Sequence, residues 1–272
     1  MPIAKLFIEG ALESQILLSI FQGTPTLQQG GSKNGLRPRT RTERHDNQVA
    51  AGYLRDRDFD YDPPEDLSQP TVDFTLPDGT PIGWRWCRHE IENYLIDPAI
   101  VNAATGLPNA DIEEAIRSSA KMIRDYEAAR WTVGNVRRGL PPHYELATRP
   151  NRLNEIALPT LLDPDHINAW ATSSIETHRG VILEKADPTA VKTSLDAYVL
   201  RFDDAFLAGT ERVLIWFSGK DILAGMVDWI VSKGFANPGE FRAAIRDWMR
   251  EHPDQTLDLL PEWRRLTEIL RA

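Results

Sequence analysis

The apolar positions of the first hundred residues fall in short runs that stop at acidic or glycine-bearing turns, as strands buried on both faces of a parallel sheet do. Residues 4–8 (Ala-Lys-Leu-Phe-Ile) form the first run. It ends at Glu9-Gly10, and residues 11–21 then place Leu12, Ile16, Leu17 and Ile20 on one side of a helix. Strand, turn and helix in that order predict an opening βα unit. Residues 28–35 (Gln-Gln-Gly-Gly-Ser-Lys-Asn-Gly) read as a glycine-rich loop. Residues 36–49 read as a polar, arginine-rich stretch whose early part Pro38 keeps out of regular helix. A second strand is expected at residues 50–54, running directly into Arg55-Asp56-Arg57-Asp58-Phe59-Asp60. Beyond a proline-rich loop at residues 62–70, two extended runs flank the turn Pro77-Asp78-Gly79-Thr80. The second of them, residues 83–87, delivers the chain to Arg88-His89-Glu90-Ile91-Glu92-Asn93-Tyr94-Leu95.

Further on, the period becomes helical. Residues 111–130 put Ile112, Ala115, Ile116, Ala120 and Ile123 on one face, and residues 189–207, 222–233, 238–251 and 261–271 read as further helices. Residues 213–217 read as a strand, followed by the turn Ser218-Gly219-Lys220-Asp221. Trp216, Trp229, Trp248 and Trp263 fall in these apolar stretches, where core or interface is their expected place. The pattern predicts an α/β part over residues 1–108, a helical insertion over 109–210 and a C-terminal segment over 211–272.

Composition narrows the class. The 272 residues are 42% hydrophobic and 26% charged, which excludes a disordered or fibrous chain. The apolar runs are too short to cross a bilayer, and the glutamate at position 9 interrupts any secretory signal. One cysteine, Cys87, leaves no disulfide framework or cysteine zinc site and suits a reducing cytoplasm. The net charge of −9 argues against coating nucleic acid by charge alone, but not against cutting it, since metal sites need carboxylates. Residues 30–35 lack the GxxxxGK[ST] spacing of a P-loop, so the chain has no visible means of hydrolysing ATP.

The candidate chemistry is carried by three acidic groups, each following an apolar run. Glu9 ends the first strand and Glu13 lies four residues on, one helical turn away. Asp56 and Asp58 end the second strand two residues apart, which an extended backbone would point the same way. Glu90 and Glu92 repeat that spacing. Taken singly each pair reads more readily as solvated turn acids; all three at strand ends, in a chain with no zinc-type cluster, point to an oxygen-ligand site for Mg²⁺ or Mn²⁺. The densest basic stretch, Lys33, Arg37, Arg39, Arg41 and Arg44, reads either as a phosphate-contacting strip or as a solvated face.

In this order the motifs resemble a known family. Leu6-Phe7-Ile8-Glu9-Gly10-Ala11-Leu12-Glu13 resembles the EGxxE opening of the TOPRIM domain of OLD-type nucleases, and Asp56-Arg57-Asp58 its DxD. Glu90-Ile91-Glu92-Asn93-Tyr94-Leu95 is similar to the REIENYL segment of stand-alone TOPRIM proteins, with His89 in place of the usual arginine. Ser218-Gly219-Lys220-Asp221 resembles the later motif that carries a basic catalytic residue. The resemblance covers residues 1 to about 100 and a stretch near 213–233; the middle of the chain matches no motif. It implies a Rossmann-like TOPRIM core with a mostly parallel sheet, joined to a helical lobe. It further implies Glu9 as shared ligand or general base, Asp56 and Asp58 as ligands, Glu13 with Glu90 or Glu92 supporting a second ion, and Lys220 facing the phosphate. Two ions about 4 Å apart would serve phosphodiester cleavage.

The expectation is therefore a metal-dependent endonuclease acting on DNA, tRNA or other RNA, similar to effectors of prokaryotic anti-phage defence, of which the PARIS system is the nearest arrangement. A separate ATPase sensor chain or a second copy would hold it in check, and no membrane is involved. The alternatives are a non-catalytic TOPRIM-like module that binds a partner or nucleic acid, and a phosphatase acting on small substrates. His89 reads as a proton shuttle or as a structural histidine.

Overall fold

The computed structural model describes residues 2–141 and 163–272. Its sheet starts with β1 (Lys5–Ile8), whose Leu6, Phe7 and Ile8 are buried, as a strand covered on both faces requires. The chain turns at Gly10 into α1 (Ala11–Phe21), which buries Ile16, Leu17, Ile20, Phe21 and the carboxylate of Glu13. β2 (Thr26–Gln29) pairs parallel with β1 at one edge. α2 (Lys33–Asp46) then leads to β3 (Ala51–Arg55), parallel on the other side of β1. β4 (Thr71–Thr75) and β5 (Pro81–Arg85) are antiparallel neighbours joined through Gly79, whose φ of +87° suits glycine, and β5 lies parallel on β3. The order is β2-β1-β3-β5-β4. Connections from β1 go one way to β2 and then back across to β3, so the strand order reverses between β1 and β3. In an open α/β sheet the crevice at the carboxyl ends of such a pair is where ligands bind.

After the sheet the chain is helical: α3 (Glu92–Leu95), α4 (Pro98–Thr105), α5 (Asn109–Gly139), α6 (Pro164–Lys185), α7 (Pro188–Arg201) and α8 (Asp204–Leu207). There follow α9 (Thr210–Trp216), α10 (Gly219–Gly225), α11 (Val227–Ser232), α12 (Pro238–Glu251), α13 (Pro253–Leu259) and α14 (Pro261–Arg271). Contacts divide the chain into two units. The larger holds Met1–Glu127 and Phe202–Ala272, so the C-terminal helices belong with the sheet. α12 packs on α1 and α4, Trp263 of α14 stacks on Trp86 at 5.1 Å, and the Ile3 N–H donates to the Leu270 carbonyl at 2.8 Å. The smaller unit, Ala128–Arg201, holds the end of α5 with α6 and α7. In it Trp131 stacks on Tyr198 at 5.8 Å, and α7 buries no side chain.

Several expected elements are corrected. Residues 36–46 are helix despite Pro38, within α2. Leu36 and Thr40 are fully buried beneath that helix, and Leu36 joins Phe7, Ala51 and Tyr53 in one apolar cluster. Such packing outweighs the hydrogen bond that Pro38 cannot make. Residues 213–216 are helix, not strand: Val213, Leu214 and Ile215 are buried on all sides of α9, and only Phe217 is extended. Gln28 and Gln29, read as loop, close β2. Residues 189–207 divide into α7 and α8, and 222–233 into parts of α10 and α11.

Candidate active site

The acids that follow β1 and β3 tie three strand ends together. Glu9 follows β1 directly, and its Oε1 accepts the Asp56 backbone N–H at 3.1 Å, joining the ends of β1 and β3. Asp56 is buried, and its Oδ1 accepts the Ile91 N–H at 3.0 Å, which adds the segment after β5. The second DxD carboxylate is not placed by extended alternation, as the spacing suggested. The strand stops at Arg55, Arg57 is helical, and Asp58 opens a short 3₁₀ turn (Asp58–Asp60) at a left-handed φ of +48°. A non-glycine residue in that region is uncommon, and such residues gather at functional sites. Its N–H donates to the His89 carbonyl at 2.8 Å.

Arg57 between the two aspartates is fully buried and acts as a tie: its guanidinium donates to the carbonyls of Cys87 (3.1 Å), Tyr61 (2.7 Å) and Ile215. The result brings Asp58, His89 and Glu90 together, each offering an atom within 4.8 Å of the others. His89 is buried, with its ring edge-on to Phe59 at 4.3 Å between centroids.

Burial and crowding set the protonation of these acids. Burial first, then the charges of Glu13, Asp58, Glu9 and Glu90, hold the Asp56 carboxyl well above the usual aspartate range. Burial lifts Glu13 to about 7; the Gly10 N–H, 3.0 Å from its Oε2, opposes this and the charge of Glu9 adds to it. Glu13 therefore has two roles, since the same carboxylate caps the first turn of α1. Its Oε1 is buried and forms no hydrogen bond of normal geometry. Glu9 is raised by burial and by Asp58.

Lys220, distant in sequence, is at the same site. Ser218 caps α10 by accepting the Asp221 N–H, and its hydroxyl donates to Glu90 Oε1 at 2.8 Å. The Lys220 N–H donates to that same oxygen at 2.8 Å, while its ammonium lies 2.5 Å from Glu90 Oε2 and 3.2 Å from Glu92 Oε2. Burial works against the ammonium, but Glu90 and Glu92 outweigh it and raise its pKa. Arg242 of α12 reaches Glu92 Oε1 at 3.3 Å. Glu90 and Glu92 thus hold Lys220, a task that sequence spacing alone did not indicate. Ser218 was legible as part of the turn; nothing in the sequence marked Arg242.

The basic strip is divided by the fold. Lys33, in the first turn of α2, turns inward: its ammonium is 2.8 Å from Asp58 Oδ2 and also pairs with Asp60. Arg37 lies over the Phe74 ring at 3.5 Å, and Arg44 donates to the Ala51 carbonyl at 2.7 Å. Arg39 and Arg41 stand exposed without such ties. Of the four tryptophans, Trp263 is core, while Trp216, Trp229 and Trp248 are half-buried.

No protein-family model matches the chain, and no curated protein matches it. Among the described residues, no helix is long and apolar enough to cross a membrane.

Proposed function

We propose that this chain is a metal-dependent nuclease of the TOPRIM type, cutting phosphodiesters in DNA or RNA with Mg²⁺ or Mn²⁺. The observation that supports the reading is the convergence of Glu9, Asp56, Asp58 and Glu90 at the carboxyl ends of β1, β3 and β5, where the strand order reverses, with Lys220 on the same cluster. The donors fit a hard divalent ion. They are carboxylate oxygens crowded enough to repel one another, with the His89 imidazole beside Asp58 and Glu90, and the neighbouring Glu13 Oε1 is buried with no hydrogen bond of normal geometry. Glu9, Asp56 and Asp58 would hold the ion, with Glu13 behind them. A bound ion would neutralise charge on the phosphate and make an attacking water more acidic.

The protein groups divide the remaining work. Glu9, its pKa raised by burial and Asp58, is suited to accept the proton of the attacking water. Lys220, fixed by Glu90 and Glu92 yet with a side chain 57% exposed, presents positive charge to the phosphate as negative charge develops there. The acid site lies within the larger unit, and the segment 142–162 lies outside the described residues.

The test is cleavage of plasmid DNA and total tRNA by purified protein with Mg²⁺ or Mn²⁺. Asp56→Asn should abolish cleavage while the far-ultraviolet circular dichroism spectrum stays that of wild type. Cleavage at the wild-type rate by that variant would refute the assignment, and turnover of nucleotides but not polymers would make the protein a phosphatase.

A further inference from the structure

Lys33 is the one lysine of the basic strip, and the fold aims it away from any ligand approaching α2 from solvent. Its ammonium is 2.8 Å from Asp58 Oδ2 and paired with Asp60, and its side chain is 22% exposed. Asp60 does not depend on Lys33 alone, because Arg55 Nη2 also donates to its Oδ2 at 2.8 Å. Arg55 in turn lies 3.9 Å from Asp73, which Arg85 meets at 3.2 Å and the Tyr53 hydroxyl at 2.5 Å. Charges therefore alternate outward from the acid cluster: Asp58, Lys33, Asp60, Arg55, Asp73, Arg85. In this row Asp58 is the only carboxylate that also belongs to the cluster with His89 and Glu90.

We infer that Lys33 is the resident counter-ion of the acid crevice and that a divalent cation exchanges with it on Asp58. A divalent ion on the Asp58 oxygen that the ammonium meets at 2.8 Å would set two cations against one carboxylate, and their repulsion puts Lys33 and the metal in competition there. The exchange is economical for the fold. A Lys33 displaced from Asp58 keeps Asp60, so it moves a short way along the row and stays at the rim of the crevice as a positive charge. Without metal, the ammonium offsets the mutual repulsion of Glu9, Asp56 and Asp58; with metal, the ion does so and Lys33 is released toward an anionic ligand. The inference deepens the proposed metal-dependent reading and rests on it.

Two measurements on the full-length protein test it, neither of them catalytic. The first is Mn²⁺ binding by titration calorimetry in wild type, Lys33→Met, Arg39→Met and Asp56→Asn. Arg39 is exposed on the same helix, so its variant removes one positive charge without removing a competitor. Lys33→Met should tighten Mn²⁺ binding about tenfold, the scale of losing one charge-assisted hydrogen bond as competitor, and Arg39→Met should change it by less than about twofold, as expected for a screened surface charge. The second is labelling of wild-type lysines with an amine-reactive ester, read by mass spectrometry against exposed Lys121. Mn²⁺ should raise labelling of Lys33 several-fold relative to Lys121, and this arm stands even where Lys33→Met folds poorly. Asp56-dependent Mn²⁺ binding that is equal in Lys33→Met and Arg39→Met, with Lys33 labelling unchanged, would overturn the exchange and leave the metal centre standing. Mn²⁺ binding that survives Asp56→Asn intact, or is absent from wild type, would overturn both.

Discussion

Glu13 and Asp56 show how much of a site depends on single carboxyl groups. Both are buried and both have raised pKa values, Glu13 from 4.5 to about 7. For an acid raised on folding, the stabilisation from the protonated form is complete below the ordinary value and is lost as pH rises through the raised one. Metal-free protein should therefore lose stability between about pH 4.5 and pH 7 on account of Glu13, with Asp56 acting in the same direction. Asp56→Asn removes one of the repelling charges, so its melting temperature in EDTA should exceed that of wild type by an amount that grows from pH 5 to pH 8. Each kcal/mol relieved corresponds to roughly 2–4 °C for a chain of this size. Added Mn²⁺ should stabilise wild type at pH 8 and much less at pH 5, where protons compete for the same oxygens. A variant that melts below wild type across this range would show that Asp56 makes more contacts than it disturbs. The positions of these acids were legible in the sequence because each follows a buried apolar run. Their crowding was not, because it depends on the turn at Arg57 and on the Ile91 N–H, which no spacing rule encodes.

Among the elements, α10 carries the tightest geometric requirement. Gly219 approaches the backbone between Glu92 and Asn93 so closely that an added Cβ would lie 2.6 Å from Asn93 N and 2.8 Å from the Glu92 carbonyl carbon. These are backbone atoms and cannot move aside cheaply, so Gly219→Ala must push α10 away and carry the Lys220 ammonium from Glu90 and Glu92. The variant should lose roughly 1–3 kcal/mol of stability. It should also lose about 10²-fold or more in turnover, the scale of Lys220→Ala and of removing one charge-stabilising donor. A fully active and stable Gly219→Ala would show that the approach of α10 is not required. The Gly-Lys pair was visible in the sequence, but the preceding run at 213–217 read as strand. A short apolar stretch buried on every side has no period to distinguish helix from strand. α2 was missed for a different reason: Pro38 is a local signal, whereas Leu36, Thr40, Lys33, Arg37 and Arg44 hold the helix through contacts distant in sequence. The edge strand β2 is polar and mostly exposed, so no alternation announced it.

At the scale of the whole molecule, charge opposes the proposed substrate. The net charge is −9, and three of the five residues in the basic strip are tied to the protein itself: Lys33 to Asp58 and Asp60, Arg37 to Phe74, Arg44 to the Ala51 carbonyl. Arg39 and Arg41 remain exposed on α2, and Lys220 is the basic residue at the crevice with most of its side chain in solvent. Nucleic acid bound by so few cations should show a shallow salt dependence. Each phosphate contact contributes a slope of about −0.9 in log K against log salt for duplex DNA, so Arg39, Arg41 and Lys220 predict roughly −3 in EDTA, and a Lys33 released by Ca²⁺ steepens it to roughly −4. Arg41→Ala should reduce the slope by about 1, as loss of one phosphate contact does. Because the acid crevice repels phosphate until a cation neutralises it, affinity in EDTA should be weak and should rise on addition of Ca²⁺, a hard cation of the same charge with looser geometric demands than Mg²⁺. Fluorescence anisotropy of a labelled duplex from 50 to 200 mM salt, with EDTA or Ca²⁺, measures both quantities. Tight binding in EDTA with a slope near −6 would mean that a basic surface outside this strip carries the nucleic acid, and that the ion does not gate its entry to the crevice.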